Sequence, residues 1–347
     1  MSAPAAGAGV PDDVAALAPL LGERVGELGG MPRILPLGQG QSNPTFRLEG
    51  PGGQAVLRVQ PPGDLLKGAH AVDREYRVMK ALAPTRVPVP RVMLLGEAGE
   101  GLDRKYVVME LIEGVVHWDP AIPGATREQR AAIHEAMVTV LADLHSVDVD
   151  ACGLGDYGRP GNYFARQIAT WERQYRQSET ARIPDIERLI GWLGEARLPP
   201  DAAPALVHGD FRIDNMVFAA SGERVCAVLD WELSTLGHPY ADLAYQCMQW
   251  RLPHDSTFKG LGGIDRARLG IPSEEAYVAA YCRKRGLPGI ENWTFCLAFS
   301  FFRLAAILQG VYKRHLDGNA ANAETARHYG RTVPVLARLA CEAIEAS

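Results

Sequence analysis

Leu206–Asn215 reads L-V-H-G-D-F-R-I-D-N. The apolar Ala205-Leu206-Val207, a short strand by its pattern, stops at His208. The chain then sets a carboxylate, Asp210, and an amide, Asn215, in a fixed relation on a loop. Two further strands are expected, Met216 to Ala219 and Arg224 to Leu229, with Ser221-Gly222 as their turn. A second carboxylate, Asp230, ends the apolar run Cys226-Ala227-Val228-Leu229. A strand, loop and hairpin in this order put Asp210 and Asn215 at one rim and return Asp230 beside them. The competing reading makes His208-Gly209-Asp210 an ordinary turn and Asp230 a strand-end cap.

The spacing carries chemistry. A phosphoryl-transfer loop of the form H-R-D-x-x-x-x-N supplies a base for the acceptor hydroxyl and an amide for a metal, and a later Asp holds Mg²⁺ at the phosphates. His208, Asp210 and Asn215 fall at that spacing, with Gly209 in place of the Arg and Trp231-Glu232 following Asp230 in place of Phe-Gly.

The chain of 347 residues is 47% hydrophobic and 22% charged, an ordinary globular composition long enough for two lobes. A formal net charge of -5 argues against binding nucleic acid or an anionic membrane through bulk electrostatics. Arg283-Lys284-Arg285 stands just before Gly286 and reads as a helix C-terminus complementing its dipole. The six cysteines are scattered without a C-x-x-C pair, which suggests reduced thiols rather than a zinc cluster or disulfide framework. The start, M-S-A-P-A-A-G-A-G-V-P-D-D, lacks the basic and apolar parts of a signal peptide, and no apolar run reaches the ~18 residues that span a bilayer. A cytoplasmic protein is expected.

Residues 1–30 read as a tail and one lead-in helix that starts near Pro11-Asp12-Asp13. From Ile34 to Val59, short apolar segments broken by glycines predict three antiparallel strands. Gly38-Gln39-Gly40-Gln41-Ser42-Asn43 between the first two is either a phosphate-covering loop, with the Ser42 hydroxyl as donor, or a plain hairpin turn. Arg58 lies inside the third strand. Helical spacing from Ala69 to Leu82 carries Glu75, so Arg58 and Glu75 are either a strand-to-helix ion pair or two unrelated surface charges. Arg91 to Leu95 and Lys105 to Ile112 complete a five-stranded sheet, and the second runs into the expected hinge at Gly114. Backbone groups around Glu110 to Ile112 are placed to read an adenine edge.

Beyond the hinge the pattern is helical. Thr126 and Gln129 form a capping box ahead of an apolar face ending near His145, which reads as a packed histidine. Further helices are expected at Asn162–Glu179, Asp185–Ala196, Ser273–Arg285, Asn292–His315 and Glu324–Glu345. Asp242 falls in the first turn of another, opened by His238-Pro239-Tyr240. The fold class is therefore α+β: residues 31–112 form a lobe of five antiparallel strands and one helix, and residues 113–347 a larger helical lobe.

These residues resemble the aminoglycoside phosphotransferase and choline kinase group, small-molecule kinases with a protein-kinase-like two-lobed fold. H-G-D-F-R-I-D-N with L-D-W-E is specific to it. L-R-V-Q-P-P-G-D-L-L-K-G-A-H-A-V-D-R-E-Y-R-V-M is similar to the kinase-like domain fused to acyl-CoA dehydrogenases and to free-standing bacterial relatives. The resemblance implies ATP and Mg²⁺ as cofactors and a small-molecule alcohol as acceptor. It implies Asp210 as catalytic base and Asn215 and Asp230 as metal ligands. Arg58 held by Glu75 would contact the phosphates with help from Ser42, with Glu110 and Ile112 at the nucleotide; Asp242 would be a buried anchor of the catalytic loop. Glu232 is acidic and near the metal without an assigned role. Arg303, Lys313 and Arg314 on the late helix favour an anionic acceptor, and the dehydrogenase-fused relatives point toward a hydroxyacyl group on coenzyme A. An aminoglycoside or choline acceptor, an inactive nucleotide-binding module and a metal-dependent hydrolase remain as alternatives.

Overall fold

The computed structural model describes residues 9–37, 43–63, 70–159, 161–200, 202–256, 258–318 and 323–347. The chain divides into two compact units: the part up to Glu113 with Cys226–Glu232, and Gly114–Val225 with Leu233–Ser347.

In the first unit the expected single lead-in helix is two, α1 (Asp12–Ala15) and α2 (Ala18–Arg24). Pro19 has no N–H to continue a helix from the preceding turn, so the chain restarts there. Val14, Leu17 and Leu21 bury themselves with Phe46, Leu48, Leu57, Tyr106 and Val108 in one core. That core lies on a sheet of β1 (Arg33–Pro36), β2 (Thr45–Glu49), β3 (Gln54–Val59), β4 (Val92–Gly96) and β5 (Tyr106–Glu110), in the order β1-β2-β3-β5-β4. All pairings are antiparallel.

Alternation along β3 decides where the site's charge goes. Ala55, Leu57 and Val59 are buried in the core, so Arg58 points to the opposite face. Helix α3 (Val72–Leu82) buries Val72, Glu75, Val78, Met79 and Leu82. A glutamate thus occupies a core position of an otherwise apolar stripe.

In the second unit, α4 (Arg127–Leu144) starts at the expected capping box: Gln129 N donates to Thr126 Oγ1, and Thr126 N donates to Gln129 Oε1. Then come α5 (Tyr163–Ser178), α6 (Pro184–Glu195), β6 (Ala205–Val207), β7 (Met216–Phe218), β8 (Val225–Val228) and β9 (Thr235–Gly237). Strand β9 pairs antiparallel with β6 and carries no sequence signal beyond three residues, Thr235-Leu236-Gly237. The rest is α7 (Tyr240–Cys247), α8 (Arg266–Leu269), α9 (Glu274–Arg285), α10 (Trp293–Leu316) and α11 (Ala323–Glu345). Helix α10 packs against α5, α6, α7 and α11. It is long and apolar enough to cross a membrane by length and composition, but most of it is buried inside this unit, which accounts for its apolar character.

Candidate functional site

In the first unit, Arg58 is the hub. Its Nε lies 3.1 Å from Glu75 Oε2, and its Nη2 donates to Asp230 Oδ1 at 2.6 Å and lies 4.0 Å from Glu232 Oε2. The Arg58–Glu75 contact is an ion pair without hydrogen-bond alignment. Desolvation pushes the Glu75 carboxyl up to about 7, against the pull of Arg58. Burial opposes the charge on Arg58, yet Glu75, Asp230 and Glu232 outweigh it and raise its pKa further. One guanidinium therefore neutralises a group of carboxylates that would otherwise repel one another.

The chain reaches Asp230 under local strain. Val228 N donates to Pro88 O at 2.8 Å and the buried Trp231 donates its indole N–H to Val228 O at 2.9 Å. Asp230 between them takes φ 65°, a left-handed conformation uncommon for a residue with a side chain. Asn43 is buried, donates to Glu232 Oε2 at 3.2 Å and meets His70 Nδ1 at 3.2 Å. Ser42 falls outside the described residues, as do Gly38 to Gln41.

In the second unit, β6 delivers His208, Gly209 and Asp210. Gly209 has φ +84°, and a Cβ there would stand 2.6 Å from Leu233 O. No side chain fits, which explains glycine at the middle of the motif. Asp242, buried in the first turn of α7, accepts from His208 N at 2.6 Å and Gly209 N at 2.8 Å. His145 Nε2 adds a contact at 3.4 Å, and its Nδ1 meets the Tyr281 hydroxyl at 2.7 Å. Burial lowers the His145 pKa, against the pull of Asp242. Burial also opposes charge on Asp242, but His145, His208 and the Gly209 N–H hold its carboxyl below the usual range. The first-turn position of Asp242 is legible in the sequence; its backbone partners are not.

Asp210 sits amid donors. Asn215 Nδ2 donates to its Oδ2 at 2.8 Å and to its main-chain O at 2.9 Å, which leaves the Asn215 amide oxygen as the atom able to ligate. Arg212 Nε lies 3.3 Å from Asp210 Oδ1, while Arg212 Nη2 donates to Asp214 at 2.8 Å and the guanidinium stacks 4.9 Å over Phe258. Burial pushes the Asp210 carboxyl up, but Arg212, the Tyr245 hydroxyl, His208 and Asn215 together hold it below the usual range. The result is a half-buried carboxylate whose charged form its neighbours favour.

Arg58, Glu75 and Asp230 are brought together in one unit, and Asp210 and Asn215 in the other. Glu110 spends its N–H on Arg91 O at 2.9 Å, so that donor is taken by the sheet and only the remaining backbone there can serve a ligand; Ile112 follows as half-buried chain past β5. Lys313 pairs with Asp317 four residues on, and Arg314 is exposed. Arg303, by contrast, is buried and donates to Gly209 O at 2.6 Å. Sequence reasoning missed Arg212, Tyr245 and Asn43. The signal for Arg212 was its place between Asp210 and Asp214; Tyr245 and Asn43 offer none without the fold.

The donors suit a hard divalent cation. In the first unit Asp230 and Glu232 present carboxylate oxygens, the ligand type that Mg²⁺ takes, and in the second the Asn215 side chain has its amide oxygen to offer. Among the described residues no three His, Cys, Asp or Glu side chains form a metal cluster.

A sequence profile described as the phosphotransferase enzyme family matches residues 33–293. Acyl-CoA dehydrogenase family member 10 of Mus musculus is 48% identical over 310 residues, a match that covers 88% of this chain but 29% of the mouse protein. A crystal structure from Ralstonia eutropha assigned to the aminoglycoside phosphotransferases is 43% identical, with a TM-score of 0.86 over 95% of this chain and 97% of that one. The aminoglycoside phosphotransferase APH(4)-Ia, in ternary complex with AMP-PNP and hygromycin B, is 17% identical, with a TM-score of 0.58 over 93% of this chain and 98% of that one. The two-unit architecture is thus the protein-kinase-like fold of these enzymes.

Proposed function

The chain belongs to the phosphotransferase enzyme family, small-molecule kinases like the aminoglycoside phosphotransferases, and from that premise we propose that it transfers the γ-phosphoryl group of ATP to an alcohol. The observation that carries this reading is the setting of Asp210: half-buried, held by the Asn215 amide at 2.8 Å and faced by Arg212 at 3.3 Å, which favour its charged form. Asp210 takes the proton of the acceptor hydroxyl as its oxygen forms a bond to the γ-phosphorus. The bond from that phosphorus to the β-phosphate oxygen breaks, and ADP leaves with the electron pair. Such catalysis is largely positioning and charge stabilisation.

Asp230 and the Asn215 amide oxygen would hold Mg²⁺, which supplies neutralisation of charge on the phosphate oxygens. Arg58, steadied by Glu75, serves the nucleotide phosphates, and the backbone from Glu110 to Ile112 serves the adenine. That a structural neighbour of this fold has been solved with AMP-PNP supports nucleotide use. The acceptor site belongs to the helical unit. A hydroxyacyl group on coenzyme A is the acceptor favoured by the kinship with dehydrogenase-fused proteins, while the buried cation Arg303 disfavours a cationic aminoglycoside or choline.

The test is ADP release from ATP with and without added alcohols. Release that requires an alcohol and falls roughly 10²–10⁴-fold in Asp210→Asn supports the proposal. Alcohol-independent release would mean a hydrolase. No release, in protein that binds ATP, would mean a binding module.

A further inference from the structure

Arg303 lies in the middle of α10 among Phe299, Phe301, Phe302, Leu304 and Ala305, all buried, and is itself only 8% exposed. A guanidinium in such surroundings is ordinarily answered by a carboxylate, because an unpaired buried charge is costly. Among the described residues none lies within ion-pairing distance of it. Its partners are a carbonyl and two rings: Nη1 donates to Gly209 O at 2.6 Å, and the guanidinium carbon stands 5.6 Å from the Trp171 ring centre and 5.3 Å from that of Tyr245. Trp171 is itself fixed by its indole N–H donating to Gln167 at 2.8 Å.

One hydrogen bond uses one of the guanidinium's five donors. Nε and Nη2 have no hydrogen-bond partner among the described residues. The Tyr245 ring beneath the cation belongs to a tyrosine whose hydroxyl helps to lower the Asp210 pKa. Arg303 is therefore one tyrosine ring away from the proposed base. The neighbouring cation, Arg212, is already engaged by Asp210 and Asp214.

We propose that Arg303 reads the acceptor: Nε and Nη2 receive an acyl oxygen of the substrate over the Trp171 and Tyr245 rings, while the substrate's hydroxyl is presented to Asp210. The substrate class is a hydroxylated carboxylic acid or its thioester, which share that oxygen. The planar fork suits two lone pairs of one acyl group, and the ring faces suit the flat acyl plane. This inference rests on the phosphotransferase reading and adds to it the residue that selects the acceptor.

The experiment uses the full chain, Arg303→Lys and Trp171→Leu, with straight-chain hydroxy acids, their coenzyme A thioesters and matching alkanediols as acceptors. ADP release gives kcat and KM for each, and a thermal shift with Mg-ATP checks the nucleotide site separately. Lysine can still reach Gly209 O but lacks the fork; Trp171→Leu leaves that bond untouched and removes one ring. The natural protein is expected to prefer an acyl acceptor over its diol. In Arg303→Lys the ratio of kcat/KM for acyl acceptor over diol should fall roughly 10–100-fold, the worth of a charge-assisted hydrogen bond, mainly through KM. Trp171→Leu should lower the same ratio by a smaller factor. Whether acids or thioesters give the higher kcat/KM identifies the source of the acyl oxygen. Equal use of diols by the natural protein, a ratio unchanged in both variants, or no release from any acyl acceptor in protein that shows the ATP shift would each overturn the proposal. Absence of the ATP shift would bring down the phosphotransferase reading with it.

Discussion

Replacing Asp242 by Asn tests how the loop bearing Asp210 is held. The buried carboxylate receives two main-chain N–H groups, from His208 at 2.6 Å and Gly209 at 2.8 Å, and the His145 contact at 3.4 Å. An Asn amide oxygen can accept one of these, and its NH₂ group then faces a donor. Hydrogen bonds to charged groups are worth ~1.5–3 kcal/mol each, and an orphaned buried donor costs ~1–3 kcal/mol. A loss of roughly 2–5 kcal/mol follows. At ~2–4 °C per kcal/mol for a unit of this size, the melting temperature should fall by roughly 4–20 °C. The pH dependence has a definite sign. The folded Asp242 carboxyl is depressed, so its contribution is present above the unfolded carboxylate range near pH 3.8 and is lost as pH falls through the lower folded value. The assay is thermal unfolding of both proteins at neutral pH and at pH values descending through 4, with the Mg-ATP shift as a check on folding. A melting temperature within about 1 °C of the natural protein at neutral pH would refute the argument that these bonds hold the loop.

Gly209→Ala should be nearly as damaging as loss of Asp242, because φ +84° and a 2.6 Å approach to Leu233 O admit no Cβ; melting temperature and ADP release both read it. His134 is buried, donates from Nδ1 to Arg130 O at 2.8 Å, and burial lowers its pKa to about 4 from the usual 6.5. Because the folded pKa is depressed, its stability contribution is complete above about pH 6.5 and is lost as pH falls toward 4, by up to roughly 3 kcal/mol. His134→Phe, which can pack against Trp250, should flatten that part of the acid unfolding profile, and an unchanged profile would assign it to other groups. Thr126→Ala removes half of the capping box of α4 and should cost about 1 kcal/mol, read as a small fall in melting temperature with the Mg-ATP shift retained.

The five strands, α3 and the capped α4 were legible because each is a local pattern: alternation, helical spacing, a cap. The break between α1 and α2 was written in Pro19, yet the apolar period across Leu17 and Leu21 masked it. Strand β9 was not legible, since a three-residue strand exists only through its pairing with β6. At the site, spacing alone singled out Asp210, Asn215 and Asp230 as one motif. Their environment was hidden because it is tertiary. Tyr245 reaches Asp210 from α7, and Asn43 reaches Glu232 across 189 positions of sequence. Arg303 was visible as a cation in an apolar helix, but sequence could not separate it from Lys313 and Arg314, which the structure leaves on the surface side of the same helix.

The most direct measurement is the thermal shift produced by ATP with and without Mg²⁺, on the natural protein and on Asp230→Ala. A ligand at ~100-fold over its dissociation constant stabilises by about 2.7 kcal/mol, which is readily seen. A Mg²⁺-dependent shift that disappears in folded Asp230→Ala is the result predicted here. The same shift in both proteins, or none with ATP in the natural protein, would contradict the assignment of Asp230 to the metal and the nucleotide reading that depends on it.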